Sequence, residues 1–129
     1  MIIAIDFDGT IVTNNFPKIG ELMPDVARVM RQLKCDGHTL ILNTCRSGQM
    51  ALDAVNFMLA NNIPFDAVNA NSPACITQYG SDSRKVYAHC YIDDMNVGGL
   101  PSWSEMYELI TAKEEAFRER LKSDSGIKK

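Results

Sequence analysis

The stretch that most restricts how this chain can fold is its first ten residues, MIIAIDFDGT. A short, isoleucine-rich apolar run leads directly into Asp6-Phe7-Asp8-Gly9-Thr10. A run this short, closed by a glycine, predicts a buried strand rather than a helix. Two carboxylates stand at its C-terminal end. In open α/β sheets, ligands bind beyond the carboxyl ends of the strands. The first strand therefore aims its acids at the place where chemistry is expected.

The rest of the chain alternates helical and strand patterns. Ile11 to Lys18 is polar and turn-rich, and predicts a loop or small hairpin over the end of the first strand. Pro24 suits the first turn of a helix. Val26, Val29, Met30 and Leu33 recur at helical spacing, and Gly37 is placed to end that helix. His38 to Thr44 is a second strand with a continuous apolar middle, as expected when both faces are covered. Cys45-Arg46-Ser47-Gly48 is a turn, with Ser47 as N-cap of a helix that ends near Asn61-Asn62. Phe65 to Ala70 is a third strand, and a brief helix is expected from Ala74 to Tyr79. Val86 to Ile92 is a fourth strand, ending on Asp93-Asp94. Ser102 to Leu121 is the last helix, and 123–129 a flexible C-terminal tail. Strands alternating with helices predict a Rossmann-like, doubly wound parallel sheet in a single domain over 1–122.

Composition removes several classes of function. A net charge of −3 carries no broad basic field for non-specific nucleic-acid binding. The N-terminal apolar run stops at Asp6, too short for a signal-peptide core or a membrane span. Four cysteines, Cys35, Cys45, Cys75 and Cys90, stand with no close pair, against both a zinc site and a disulfide framework. A cytoplasmic location with reduced thiols is the expectation.

In a parallel sheet all strand ends of one sense share an edge. Asp6 and Asp8 then converge with Thr44, with Asn69 and Asn71, and with Asp93 and Asp94; Lys85 precedes the fourth strand. Carboxylates crowded together repel and cannot all stay ionised unaided. A hard divalent cation resolves this, and magnesium is bound by one or two carboxylates together with water and phosphate oxygens. A nearby lysine and threonine hydroxyl suit a transferring phosphoryl group. One carboxylate can serve as nucleophile, and a second as acid and base.

Asp6-Phe7-Asp8-Gly9-Thr10, Thr44 at a strand end, Lys85 and Asp93-Asp94 resemble, in order, the four motifs of the haloacid dehalogenase (HAD) superfamily. The match spans roughly Met1 to Trp103. The resemblance implies an HAD-like core and a magnesium-dependent phosphate-ester hydrolase that forms an aspartyl-phosphate. It implies Asp6 as nucleophile, Asp8 as general acid and base, and Thr44 and Lys85 as the groups that hold the phosphoryl group. Arg84 is a rival to Lys85. Mg2+ is expected on Asp6, on the Asp8 carbonyl and on Asp93 or Asp94, with Asp93 favoured as the direct ligand. Gly9, Arg46 and Asn71 are the candidate substrate contacts. An acid at position 8 points to ester hydrolysis rather than carbon–halogen cleavage.

The segments between motifs are too short for a folded cap, so a capless member with an open cleft is expected; the resemblance implies either action on macromolecular ends or a neighbouring subunit borrowed as a lid. The Arg46 turn and the Ile92-Asp93-Asp94 ending are also similar to the phosphatase domain of phage polynucleotide kinases. Sugar phosphates, nucleotides and nucleic-acid ends all stay open as substrates. Two other classes compete: a phospho-acceptor signalling module and a non-catalytic binding protein on the same scaffold. The order of the acids disfavours the first, and an intact set of motif residues the second. Elsewhere the plain expectations are structural: His38 and His89 within strands, Cys45 as a small buried side chain, and Trp103 packing a loop.

Overall fold

A computed structural model describes residues 1–127, with side chains through Asp124. Four short strands, β1 (Ile2–Ile5), β2 (Thr39–Leu42), β3 (Ala67–Val68) and β4 (Cys90–Ile92), form one sheet in the order β3-β2-β1-β4. Every pairing is parallel, with Ile3 beside Leu40 on one side and beside Cys90 on the other. Four helices accompany them: α1 (Val26–Cys35), α2 (Gly48–Ala60), α3 (Pro73–Tyr79) and α4 (Trp103–Ile127).

Alternate residues of a strand face opposite sides of the sheet. Ile3, Ile5, Leu40 and Leu42 join Val29, Met30 and Leu33 of α1, Ala54 and Met58 of α2, and Met106 and Ile110 of α4 in the main core. Ala4 and Ile41 face the other way, against Val86, with Ile2, Ala67 and Ala88 around them. On that side α3 borders an open groove with Ile2 and Thr39. The core is thus heavier on the face that holds α1, α2 and α4. Burial of apolar surface at roughly 25 cal/mol per Å² makes that face the main source of stability.

The expected elements are present with shifted ends. β4 is confined to Cys90–Ile92; His89 N still donates to Ile2 O (2.8 Å), but residues 86–88 leave the ladder, where Tyr91 Oη donates to Val86 O (2.7 Å) and accepts from Ala88 N (3.1 Å). α1 begins at Val26, two residues past Pro24, with Asp25 in the left-handed region (φ 66°). Ser47 precedes α2 without a side-chain capping bond, whereas Ser72 caps α3 through Cys75 N (3.3 Å). α4 continues to Ile127, past the expected stop at Leu121. Of the expected tail at 123–129, the last two residues lie outside the described ones.

The expected hairpin over β1 is present. Thr13 N donates to Glu21 O (2.8 Å) and Met23 N to Ile11 O (2.9 Å). Gly20 is required there, since a Cβ at this position would overlap Thr13 O. No helix among the described residues is long and apolar enough to cross a membrane.

Candidate active site

The order β3-β2-β1-β4 places a topological switch point between β1 and β4, because the chain runs outward from β1 in one direction and returns to its other side at β4. Crevices at such points, beyond the carboxyl ends of the strands, are where open α/β sheets bind ligands. Asp6 follows β1, and Asp93 and Asp94 follow β4. The ladder continues one step past the strands, with Asp6 N donating to Ile92 O (2.9 Å). This fixes the two acidic ends side by side.

Beyond Asp6 the backbone turns sharply. Phe7 O accepts from Thr10 N (3.2 Å) and Ile11 N (2.9 Å). Gly9 has φ +85°, and a Cβ there would overlap the Asp94 carboxylate. Glycine is therefore demanded twice, by the backbone and by the acid beside it. Gly9, expected as a substrate contact, instead makes room for Asp94.

Thr10 is fully buried. Its hydroxyl accepts from Asp94 N (3.1 Å) and has Asp6 Oδ2 at 3.1 Å and Asp94 Oδ1 at 3.4 Å as alternative acceptors. Trp103 Nε1, at the start of α4, donates to Thr10 O (2.9 Å). Trp103 does pack a loop, and the loop is the one that carries the acids. Sequence reasoning gave Thr10 no role of its own. The signal was available in its spacing, four residues beyond Asp6 across a glycine turn.

Carboxylate oxygens of Asp6, Asp93 and Asp94 lie within 4.8 Å of one another. The Asp6 carboxyl is pushed up to about 7, first by burial, then by the charge of Asp93 and by a hydrogen bond with Asp94. Three hard oxygen donors at this spacing, one of them reluctant to ionise, fit a divalent cation bound through carboxylates. Asp93 Oδ1 also accepts from Met95 N (2.9 Å), which holds the turn after β4.

Asp8 stands apart from this trio. Its two oxygens accept from Arg46 Nε and Nη2, each at 2.7 Å. Arg46 also donates to Pro17 O (3.1 Å), Lys18 O (2.9 Å) and Met50 O (3.4 Å). Its guanidinium carbon lies 5.3 Å from the Phe7 ring centroid and 5.2 Å from that of Phe16. The Arg46 side chain is 1% exposed, so the expectation of a substrate contact is corrected: it anchors Asp8 and the hairpin.

Thr44 lines the same cleft as Asp6, Asp8, Asp93 and Asp94, a space of about 390 Å³. Its Oγ1 accepts from Arg46 N (3.1 Å), leaving the hydroxyl proton for a ligand. Asn69, in the left-handed region (φ 50°), clips the Thr44 backbone, accepting from Thr44 N (2.7 Å) and donating to Thr44 O (2.8 Å). By shaping that loop, Asn69 positions the threonine.

Besides Gly9, two expected site residues are not brought to the cleft lining. Asn71 is buried, donates to Asp82 Oδ1 (2.7 Å) and accepts from Tyr87 N (2.6 Å). It organises the 82–87 segment, and the expectation of a substrate contact is corrected accordingly. Lys85 is exposed, with its ammonium 5.4 Å from the Tyr91 ring centroid. Arg84 is exposed as well. Cys45, expected to be buried, is exposed at the cleft, and Asn14, Phe16 and Met95 complete its rim.

No protein-family model and no curated protein matches the sequence. Among solved structures, a conserved protein from Bacteroides thetaiotaomicron is similar, with 40% identity, a TM-score of 0.80, and coverage of 88% of this chain and 91% of that one. The chain belongs to the same family as that protein, and the α/β fold is shared over nearly the whole of both.

Proposed function

We propose that this chain is a magnesium-dependent phosphomonoester hydrolase that works through an aspartyl-phosphate on Asp6, on a capless, doubly wound core of the HAD type. The observation that carries this reading is the meeting of Asp6, Asp93 and Asp94 at the β1–β4 switch point, with Thr44 across the cleft and Asp8 two residues beyond Asp6. The order of these residues resembles the HAD motifs. The free cysteines suit a reducing compartment such as the cytoplasm.

Asp6, Asp93 and Asp94 would hold the cation. When bound, it keeps Asp6 ionised and offsets negative charge on the phosphoryl oxygens. An Asp6 oxygen attacks phosphorus, and the bond to the leaving oxygen breaks. That oxygen takes a proton from Asp8 or, if it is a good leaving group, departs without one. In the second step Asp8 takes a proton from water, the resulting hydroxide attacks phosphorus, and the Asp6–phosphorus bond breaks to release inorganic phosphate. Thr44 Oγ1 donates to a phosphoryl oxygen and orients the group. Lys85 joins them only after its ammonium leaves the Tyr91 ring.

Because Arg46 occupies both oxygens of Asp8, the acid role requires that one of these bonds open and that the freed oxygen take a proton from solvent before the ester oxygen reaches it. The paired carboxylate is already suited to the base role. The test is turnover of an aryl phosphate with and without magnesium. Activity should vanish on chelation and return with the metal, and Asp6→Asn should abolish it while the fold persists. Full activity after exhaustive chelation, or near-parental rates for Asp6→Asn, contradicts the assignment.

A further inference from the structure

The acids set where the phosphoryl group sits, and the rim of the cleft bears on what is attached to it. Phe16 is 53% exposed and Met95 83% exposed, and both line the cleft. Phe16 is not a loose side chain on a loop. Its ring rests on the Arg46 guanidinium, which is fixed by bonds to Asp8 and to the carbonyls of Pro17 and Lys18. The ladder at Thr13–Glu21 and Ile11–Met23 pins the base of the same hairpin. One side of the ring is thus taken by Arg46, and the half-exposed residue lines the cleft. A held ring costs little entropy when a ligand stacks on it.

Arg46 touches both Asp8 and Phe16. The substrate's ester oxygen must come to Asp8 to exchange a proton, so whatever that oxygen carries is brought beside Phe16. Charge narrows the choice. The cleft lining carries four carboxylates, and its one cation is Arg46, committed to Asp8. With a divalent ion bound and Lys85 still on the Tyr91 ring, one negative charge remains in excess, before the substrate adds its own. A second phosphate on the substrate would meet repulsion and no cation among the lining residues.

We infer that the cleft selects phosphomonoesters whose leaving group is neutral and carries an aromatic or otherwise planar ring close to the ester oxygen, with Phe16 as the stacking platform. Nucleoside monophosphates and aryl-type monoesters belong to this class; nucleic-acid ends and bisphosphates do not. The inference rests on the phosphatase reading above and adds to it the identity of the leaving group.

The test separates binding from chemistry. Benzylphosphonate and propylphosphonate have no ester oxygen to expel, so the acidity of the leaving group drops out. Calorimetry on the full chain with magnesium should show benzylphosphonate bound more tightly. Phe16→Ala should cut that preference roughly tenfold, the scale of one stacked ring. Phe16→Tyr should keep it, which guards against a merely misfolded variant. Thymidine 3′-monophosphate should be turned over faster than thymidine 3′,5′-bisphosphate. Equal binding of the two phosphonates, a preference that survives in Phe16→Ala, or a bisphosphate turned over as well as the monophosphate overturns the inference. Turnover without ring preference overturns it alone. Absence of both phosphonate binding and monoester turnover overturns the phosphatase reading as well.

Discussion

At the scale of single residues, Asp6 and Asp8 have the same chemistry and different surroundings. Asp6 is crowded by Asp93 and Asp94 and shares the buried Thr10 hydroxyl. Asp8 is satisfied by a buried guanidinium. The first arrangement calls for a cation, and the second supplies its own. Acid–base help typically contributes about 10²–10⁴-fold. Asp8→Asn should therefore slow hydrolysis of an alkyl phosphate by about that much. It should slow an activated aryl phosphate less in the first step, since that leaving oxygen needs little protonation. Rapid-quench kinetics on both substrates checks this, and equal slowing of the two denies Asp8 the acid role. The acids were legible in the sequence because Asp-x-Asp-Gly-Thr is a local pattern. The partner of Asp8 was not, since Arg46 reaches it across 38 positions and looked like a turn residue open to substrate.

At the scale of elements, the site is the meeting of connections rather than any one strand. α4 reaches back through Trp103 Nε1 to Thr10 O and so braces the turn after β1. Trp103→Phe keeps most of the apolar volume and leaves that buried carbonyl unpaired, at a cost of about 2 kcal/mol. Urea melts should register this loss. Metal affinity should fall with it, because the Thr10 hydroxyl is tied to Asp6 and Asp94 through the same turn. An unchanged midpoint would mean that the bond carries no weight. Element order and type could be read from apolar spacing, and α1 and α3 fall close to where Val26–Leu33 and Ala74–Tyr79 placed them. β4 was overestimated because Val86-Tyr87-Ala88 is strand-like in composition, yet Tyr91 bonds that segment away from the ladder. Asn71 was misread for a related reason. Its position after β3 pointed to the cleft, but its side-chain amide donates to Asp82 and Ser83 and accepts from Tyr87 N.

At the scale of the whole molecule, the acidic cluster links stability to pH and to metal. Without a cation, the folded protein holds a proton on Asp6 up to about 7, whereas the unfolded chain releases it near the ordinary value of 3.8. The folded state then binds more protons between these values, so its stability falls as pH rises through that window and levels off above it. In the proposed reading a divalent ion would replace the proton and reverse the trend. Magnesium should raise the melting temperature more near about pH 8 than near about pH 5, by linkage worth about 2.7 kcal/mol at a hundredfold excess over the dissociation constant. Equal shifts at both pH values, or none, would contradict a carboxylate-held cation. The most direct test of the central claim is to trap the intermediate. The protein with magnesium is quenched in acid during turnover of a phosphomonoester, reduced with borohydride and sequenced by mass spectrometry. Reduction of an aspartyl-phosphate converts that residue to homoserine. The account predicts homoserine at position 6 and nowhere else, and none in Asp6→Asn. Sustained turnover with Asp6 unmodified, or with the label at another residue, would contradict it.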